Sequence, residues 1–311
     1  MERRNFIATT VLGGLAVTAC KPSLKNTPEK KRALRIVHVT DMHIFDGPVP
    51  ELGISNLINE IKNMEDQPDF VLNTGDNIMD ALKRSKEEVA AQWEAWKNNF
   101  RQNIDLPLYN CIGNHDVWGW SNDDPTIQSD ELYGKNWALK MLELENRYYT
   151  FEKNGWKIIC LDSPYYDKDN HGYIAKLDEE QFEWLKTTLD NTPATTNILI
   201  ASHIPILSPS TFFDGDNEKT GNWVVPGAWM HIDARRIKDL LKNYTNVKLA
   251  ASGHIHLVDQ AKYLDINYVC NGAACGAWWK GNYQEFAPAY ALIDLYEDGS
   301  FGNQLVYYNW K

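Results

Sequence analysis

The sequence predicts an α/β fold. Two observations carry that prediction: short apolar runs of strand length alternate with amphipathic helical patterns, and five of those runs stop at clusters of Gly, Asp, Asn and His. A third agrees with them: 311 residues, 43% hydrophobic and 23% charged, suffice for one large α/β domain with a sizeable core. In open α/β sheets ligands bind beyond the carboxyl ends of the strands, so polar clusters there point to a site rather than to packing.

Taken in order, Arg35-Ile36-Val37-His38-Val39-Thr40 is the first strand and stops at Asp41-Met42-His43. Ile54, Leu57, Ile58 and Ile61 follow at i, i+3, i+4 and i+7, the spacing of one helix face, over 54–64. A strand over 70–74 stops at Gly75-Asp76-Asn77, and 83–103 reads as a charged amphipathic helix. The next strand, 106–112, stops at Gly113-Asn114-His115-Asp116. Further on come a strand at 157–162, a helix at 178–189, a strand at 197–202 ending at His203, and a helix at 232–243. The strand 247–251 runs into Gly253-His254-Ile255-His256. Beyond it, 258–271 and 288–310 alternate in polarity as an antiparallel meander does. No interior linker interrupts 34–311, which reads as a single domain.

Residues 1–20 read as an export signal rather than as part of the fold: Arg3-Arg4 precede an apolar run from Phe6 to Val17 and then small residues. Arg3-Arg4-Asn5-Phe6-Ile7 is similar to a twin-arginine export motif. Val17-Thr18-Ala19-Cys20 is similar to a bacterial lipobox, in which Cys20 would be acylated and become the mature N-terminus. Residues 21–33, rich in Lys, Pro, Asn and Thr, read as a flexible tether. The expected location is therefore the cell envelope or periplasm, with the membrane as a partner through a lipid on Cys20. No run reaches the ~20 apolar residues of a spanning helix.

Thirty-one Lys and Arg against 42 Asp and Glu give a net charge of −11, which lacks the footprint for duplex nucleic acid. No partner protein is evident. Cys111 and Cys160 lie in strand-like runs and read as buried thiols, while Cys270 and Cys275 are candidates for a disulfide outside the cytoplasm; four cysteines allow three connectivities.

Singly, each polar cluster is weak. Together, D-x-H at 41–43, G-D at 75–76, G-N-H-D at 113–116, His203 and G-H-x-H at 253–256 form an ordered set in which every member ends a strand. This set resembles the calcineurin-like metallophosphoesterase superfamily over roughly residues 34–260. Carboxylate, imidazole and amide oxygen are a donor set for Mn, Fe or Zn.

The resemblance implies a four-layer sandwich of two mixed sheets flanked by helices. It also implies two divalent or trivalent metal ions bridged by Asp76, with Asp41, His43 and His256 at one ion and Asn114, His203 and His254 at the other. His115 would be the general acid, and Asp116 would hold its ring. A hydroxide bridging the ions would attack phosphorus in line. Two divalent ions bring four positive charges against the two negative ones of Asp41 and Asp76, which makes the site cationic within an acidic protein, as a small phosphoester substrate requires.

The long segment 117–145 after His115 and the run 276–281 read as rims of the site, with Trp118, Trp120, Trp278, Trp279 and Lys280 as candidate substrate contacts. The aromatic stretches Asn222-Trp223 and Pro226–His231 belong to the same class. His38 reads as a core residue, and Asp46, His171 and His231 as loop residues near or away from the site. Asp80 stands one residue later than the second Asp of the common G-D-x-x-D spacing. The expected activity is hydrolysis of phosphodiesters. A phosphomonoesterase of the same mechanism, or a non-catalytic lipoprotein binding phosphorylated ligands, is the alternative.

Overall fold

The structure is a computed structural model that describes residues 30–310. The export signal, Cys20 and most of the tether lie outside the described residues. The tether is shorter than expected at its far end, because the first strand already begins at Arg32.

One sheet contains β1 (Arg32–Val39), β2 (Phe70–Asn73) and β3 (Leu108–Asn110), all parallel, extended by β12 (Ala289–Tyr296) and β13 (Phe301–Tyr307) in the order β13-β12-β1-β2-β3. The other contains β4 (Tyr149–Lys153), β5 (Trp156–Cys160), β8 (Asn197–Ala201), β9 (Val247–Ser252), β10 (Val258–Tyr263) and β11 (Ile266–Asn271), in the order β10-β11-β9-β8-β5-β4. Its four inner strands are parallel and its two edge strands antiparallel. A separate hairpin joins β6 (Pro164–Asp167) to β7 (Gly172–Ala175).

Strand alternation builds the layers. Leu34 and Ile36 of β1 pack between the sheets with Phe70, Leu72, Trp156, Ile158, Leu199 and Leu249. Val37 and Val39 turn outward onto α1 (Pro48–Lys62) and α2 (Lys86–Trp96) through Ile54, Leu57, Ile61, Trp93 and Trp96. On the far side, Ile159, Ile198 and Ile200 meet Phe182, Leu185 and Leu189 of α4 (Glu179–Asp190) and Ile237 and Leu241 of α5 (Ala234–Leu241). The result is the expected sandwich: helices, sheet, sheet, helices. Each buried aliphatic side chain contributes roughly 1.5–3 kcal/mol to holding these layers together.

Local sequence sets the helix boundaries. Ser85 accepts a hydrogen bond from the Glu88 amide while the Glu88 carboxylate accepts one from the Ser85 amide, a reciprocal cap that starts α2 at Lys86. The helix expected over 83–103 is α-helical only to Trp96 and continues as a π-helical stretch, Lys97–Arg101. The segment 117–145 holds a short α3 (Asn136–Met141).

Several expectations are corrected. The antiparallel meander after His256 does not exist as one unit, because β10 and β11 complete the second sheet while β12 and β13 complete the first. β4, β6 and β7 lie in stretches with no strand signal strong enough to be read. Cys270 and Cys275 are separate buried thiols that donate to the backbone carbonyls of Gly253 and Gly276. Among the described residues, no helix is long and apolar enough to cross a membrane.

Register places the site. Asn73 stands opposite both Val39 and Asn110, so the loops after β1, β2 and β3 leave one edge of the first sheet level with one another. Ala201 stands opposite Ala251, so the loops after β8 and β9 do the same in the second sheet.

Candidate metal centre

Five site residues sit in left-handed backbone: Asp41 (φ 53°), His43 (φ 44°), Asp76 (φ 53°), His254 (φ 74°) and His256 (φ 60°). For non-glycine residues this costs of order 1–3 kcal/mol each, so surrounding contacts must hold it. They do: the Asp41 amide donates to the Gly75 carbonyl at 3.0 Å, the His43 amide to the Asp76 carbonyl at 2.9 Å, and the His254 amide to Asp41 Oδ2 at 2.8 Å. A Cβ at Gly113 would strike the Asp76 amide and carboxylate, and one at Gly253 would strike the side chains of Thr40 and Asp41. Both positions need glycine for this close approach of two loops.

The ligand atoms form two groups that share Asp76. His43 Nε2 lies 3.9 Å from Asp41 Oδ1, 3.2 Å from His256 Nε2 and 3.5 Å from Asp76 Oδ2, and His256 Nε2 lies 3.3 Å from Asp41 Oδ1. His203 Nε2 lies 2.9 Å from Asn114 Oδ1, 3.1 Å from His254 Nδ1 and 3.2 Å from the same Asp76 Oδ2. All seven side chains singled out from the sequence are therefore brought together, in the two sets that the motifs implied.

Each histidine is oriented from behind. The outward nitrogens of His43, His203, His254 and His256 donate to the carbonyls of Met79, Thr74, Ala228 and Gly276, at 3.3, 3.0, 2.9 and 2.7 Å. With the outer nitrogen carrying the hydrogen, the inner one presents a lone pair. Two such lone pairs, on His43 and His256, then face each other across 3.2 Å, and Asp41 Oδ1 is buried with no hydrogen-bond partner. Neither arrangement is favourable unless a cation lies between the groups, so the residues fit a metal pair. The Cys275 thiol lies within 4.8 Å of ring nitrogens of His43 and His256. Burial raises its pKa, which keeps it a protonated thiol.

Electrostatics prepares the ligands. Burial opposes ionisation of Asp41 and Asp76, but the adjacent histidines outweigh it and hold both below the usual carboxylate range. Burial lowers the pKa of His43 and of His254 to about 3, so both are neutral and ready to ligate. For His203, burial is outweighed by the charge and hydrogen bond of Asp76, which raise the pKa to about 9.

His115 lines the cavity, with a ring nitrogen within 4.8 Å of ligand atoms of His43 and Asp76. Its ring nitrogen Nδ1 lies 3.3 Å from Asp80 Oδ1, and its amide donates to Asp76 Oδ1 at 2.8 Å. Burial depresses its pKa, but Asp76 and then Asp80 outweigh that and leave it raised. Asp116 does not hold the ring, contrary to expectation. It accepts from the amides of Gly113, Asn77 and Ile78 and from Asn77 Nδ2, which clamps the loop after β3 onto the loop after β2. Burial and then the charge of Asp76 push its pKa up to about 6. Asp80, one residue late in its motif, is the partner of His115.

The rim residues divide. Trp278 lies against His256 with centroids 4.6 Å apart and lines the cavity. Trp118 is buried against Trp137 and donates to the Arg84 carbonyl, and Trp120 is buried against Tyr166 under the Lys135 ammonium. Trp279 is buried too; its indole donates to the His43 carbonyl and supports that loop from behind. Lys280 is exposed and does not line the cavity. Indoles placed in loops thus pack between loops at three of four positions.

His38 is a core residue, hydrogen-bonded to Thr74 and Asn271. His231 pairs with Asp233, and His171 and Asp46 are exposed. The cavity of about 250 Å3 is completed by Tyr173, Asp214, Trp229 and Tyr283. Of these only Trp229 lay in a stretch the sequence marked; a lone Tyr or Asp in a loop carries no periodic or spacing signal.

Comparison with known proteins agrees with this geometry. Residues 34–258 match the family model described as calcineurin-like phosphoesterase. A 3',5'-cyclic adenosine monophosphate phosphodiesterase of Haemophilus influenzae is 23% identical over 91% of this chain and 94% of its own length. A probable glycerophosphodiester phosphodiesterase of Arcobacter nitrofigilis is 27% identical over 72% of each chain. Among solved structures, a dimetal phosphatase from Danio rerio superposes with a TM-score of 0.60 at 12% identity, over 90% of this chain and all of that one, a likeness of fold.

Metal loading should release protons in a pH-dependent way. With a pKa of about 9, His203 is protonated at pH 7 and must lose that proton to ligate. Calorimetric titration with Mn in buffers of different ionisation heat should find about one proton released per chain from this group at pH 7, with release fading above pH 9. A proton count independent of pH from 7 to 10 would contradict the assignment.

Proposed function

The chain belongs to the calcineurin-like phosphoesterase family and is a metal-dependent phosphoester hydrolase; from that premise we propose that it cleaves phosphodiesters outside the cytoplasm. The observation that carries the reading is the shared carboxylate of Asp76 between two ligand groups, with the free edge of His115 turned into the same cavity.

When bound, a pair of ions at these groups neutralises phosphoryl charge and lowers the pKa of water. The chain's own residues do the rest. Asp41, Asp76, Asn114 and the four inward histidine nitrogens would hold that pair. Asp80 holds the Nδ1 hydrogen of His115, which leaves Nε2 to give its proton to the departing alkoxide. The raised pKa of His115 keeps that proton available near neutral pH.

Two points favour a diester over a monoester. Among the described residues no lysine or arginine lines the cavity, so the second charge of a monoester dianion meets no ammonium or guanidinium. The lining beside the ligands is aromatic, from Tyr173, Trp229, Trp278 and Tyr283, which suits a second ester group. Two relatives named as phosphodiesterases agree. Location outside the cytoplasm is supported by Arg3-Arg4, the apolar run and Val17-Thr18-Ala19-Cys20.

The Mn-loaded protein lacking residues 1–20 should turn over an aryl phosphodiester faster than the matching phosphomonoester, and His115→Ala should lower diester turnover on the order of 100-fold or more with metal content unchanged. The opposite ranking makes the protein a phosphatase, and undiminished turnover removes His115 as the acid. Asp80→Asn should move the alkaline limb of kcat/KM to lower pH: Asp80 raises the His115 pKa, so without it the acid is lost sooner as pH rises. A limb that stays in place rejects this positioning role. In cells, joint Arg3→Lys and Arg4→Lys substitution should leave the precursor unprocessed in the cytoplasm, whereas normal export counts against the twin-arginine route.

A further inference from the structure

One wall of the cavity carries an acidic group that metal chemistry does not use. Asp214 accepts a hydrogen bond from Tyr283 Oη at 2.6 Å and lies 3.4 Å from Gln284 Nε2, both through Oδ1. Its Oδ2 has no hydrogen bond among the described residues, and no lysine, arginine or histidine pairs with it. A carboxylate lining a site for an anionic substrate repels a second phosphate or carboxylate on that substrate. It attracts a cation there.

The rings beside it complete the case. Trp278 and Tyr283 stand at 90° with centroids 5.5 Å apart, and Tyr283 lies 5.5 Å from His256 of the first ligand group. Two rings in perpendicular contact leave no parallel slot for a flat nucleobase. They form a concave corner of π faces and edges, which a compact tetrahedral cation fills. Trp229 stands on the same wall.

We propose that this corner of Asp214, Tyr283, Trp278 and Trp229 binds an ammonium group, so that the preferred substrates are phosphodiesters of an amino alcohol, with the phosphorus at the metal groups and the nitrogen in the corner. This deepens the phosphodiesterase reading and rests on it. Such an ester occurs on water-soluble diesters and on lipid headgroups alike, and the corner recognises the chemistry that the two share.

The test compares two aryl diesters that differ only in charge: 4-nitrophenyl phosphorylcholine and its carbon isostere 4-nitrophenyl 3,3-dimethylbutyl phosphate. Wild-type kcat/KM should favour the choline ester on the order of tenfold, and Asp214→Asn should bring the ratio close to one. Equal kcat/KM for the two esters in wild type overturns the inference while leaving the phosphodiesterase reading intact. No hydrolysis of either ester, nor of bis(4-nitrophenyl) phosphate, by the metal-loaded protein instead overturns the phosphodiesterase reading itself. A ratio that persists in Asp214→Asn with normal metal content overturns the role of the corner. As a binding measurement independent of turnover, tetramethylammonium should inhibit hydrolysis of the 3,3-dimethylbutyl ester competitively in wild type and far more weakly in Asp214→Asn; no inhibition in wild type also counts against the inference. Given a preference for the choline ester, faster cleavage of glycerophosphocholine than of choline phospholipid in vesicles assigns a soluble source, and the reverse a lipid one.

Discussion

Two carboxylates, Asp41 and Asp76, are buried side by side, and their ion-pair partners among the described residues are all histidines. Burying a carboxylate without a matching cation costs several kcal/mol, and a protonated His203 matches only one charge of the two. The arrangement is sustainable only as half of something, the other half being positive charge supplied from outside the chain. Much of the fold follows from that demand. Two sheets must end level, their loops must turn back through left-handed backbone to aim seven side chains at a common region, and glycine must stand where one loop crosses another. The sandwich is the frame that keeps these strained turns from relaxing.

Around this centre the acidic residues divide the work by position rather than by type. Asp116 accepts four hydrogen bonds from two loops and stays inside the protein, whereas Asp80 reaches His115 at the cavity. A further carboxylate, Asp162, is buried with the ammonium of Lys135 and the guanidinium of Arg147, and Arg147 also pairs with Asp178 at the start of α4. These ties fasten the segment 117–145 to the second sheet. That explains why the tryptophans of this segment, placed so near His115 in sequence, became packing rather than rim.

How much of this could be read from the chain itself depends on how local the information is. A strand ending in D-x-H or G-N-H-D states its chemistry within four residues, and the parallel register then carries each cluster to the same edge; hence the candidate ligand set was legible. The inner strands were legible for the same reason, since burial on both faces leaves an unbroken apolar run. β4 and β6 are half-exposed and aromatic, and such strands look like loops until a partner is known. The partner of His115 was hidden because one extra residue in the loop after β2 displaced Asp80 from its usual spacing, while Asp116 stood adjacent and unoccupied by any other reading. The cavity wall was hidden because Tyr173 stands in the short strand β7 and Asp214 and Tyr283 in two loops, none of them with periodicity.

All four candidate ligand histidines lean on backbone carbonyls, those of Thr74, Met79, Ala228 and Gly276, rather than on side chains. A carbonyl oxygen is the same whatever residue carries it. The loops that steady these histidines, two of which also bear Trp229 and Trp278, are therefore free to change their side chains without disturbing the rings they support. Selection can rewrite what the cavity admits while the reaction centre is inherited unaltered, and one scaffold can drift among substrates without passing through an inactive ancestor.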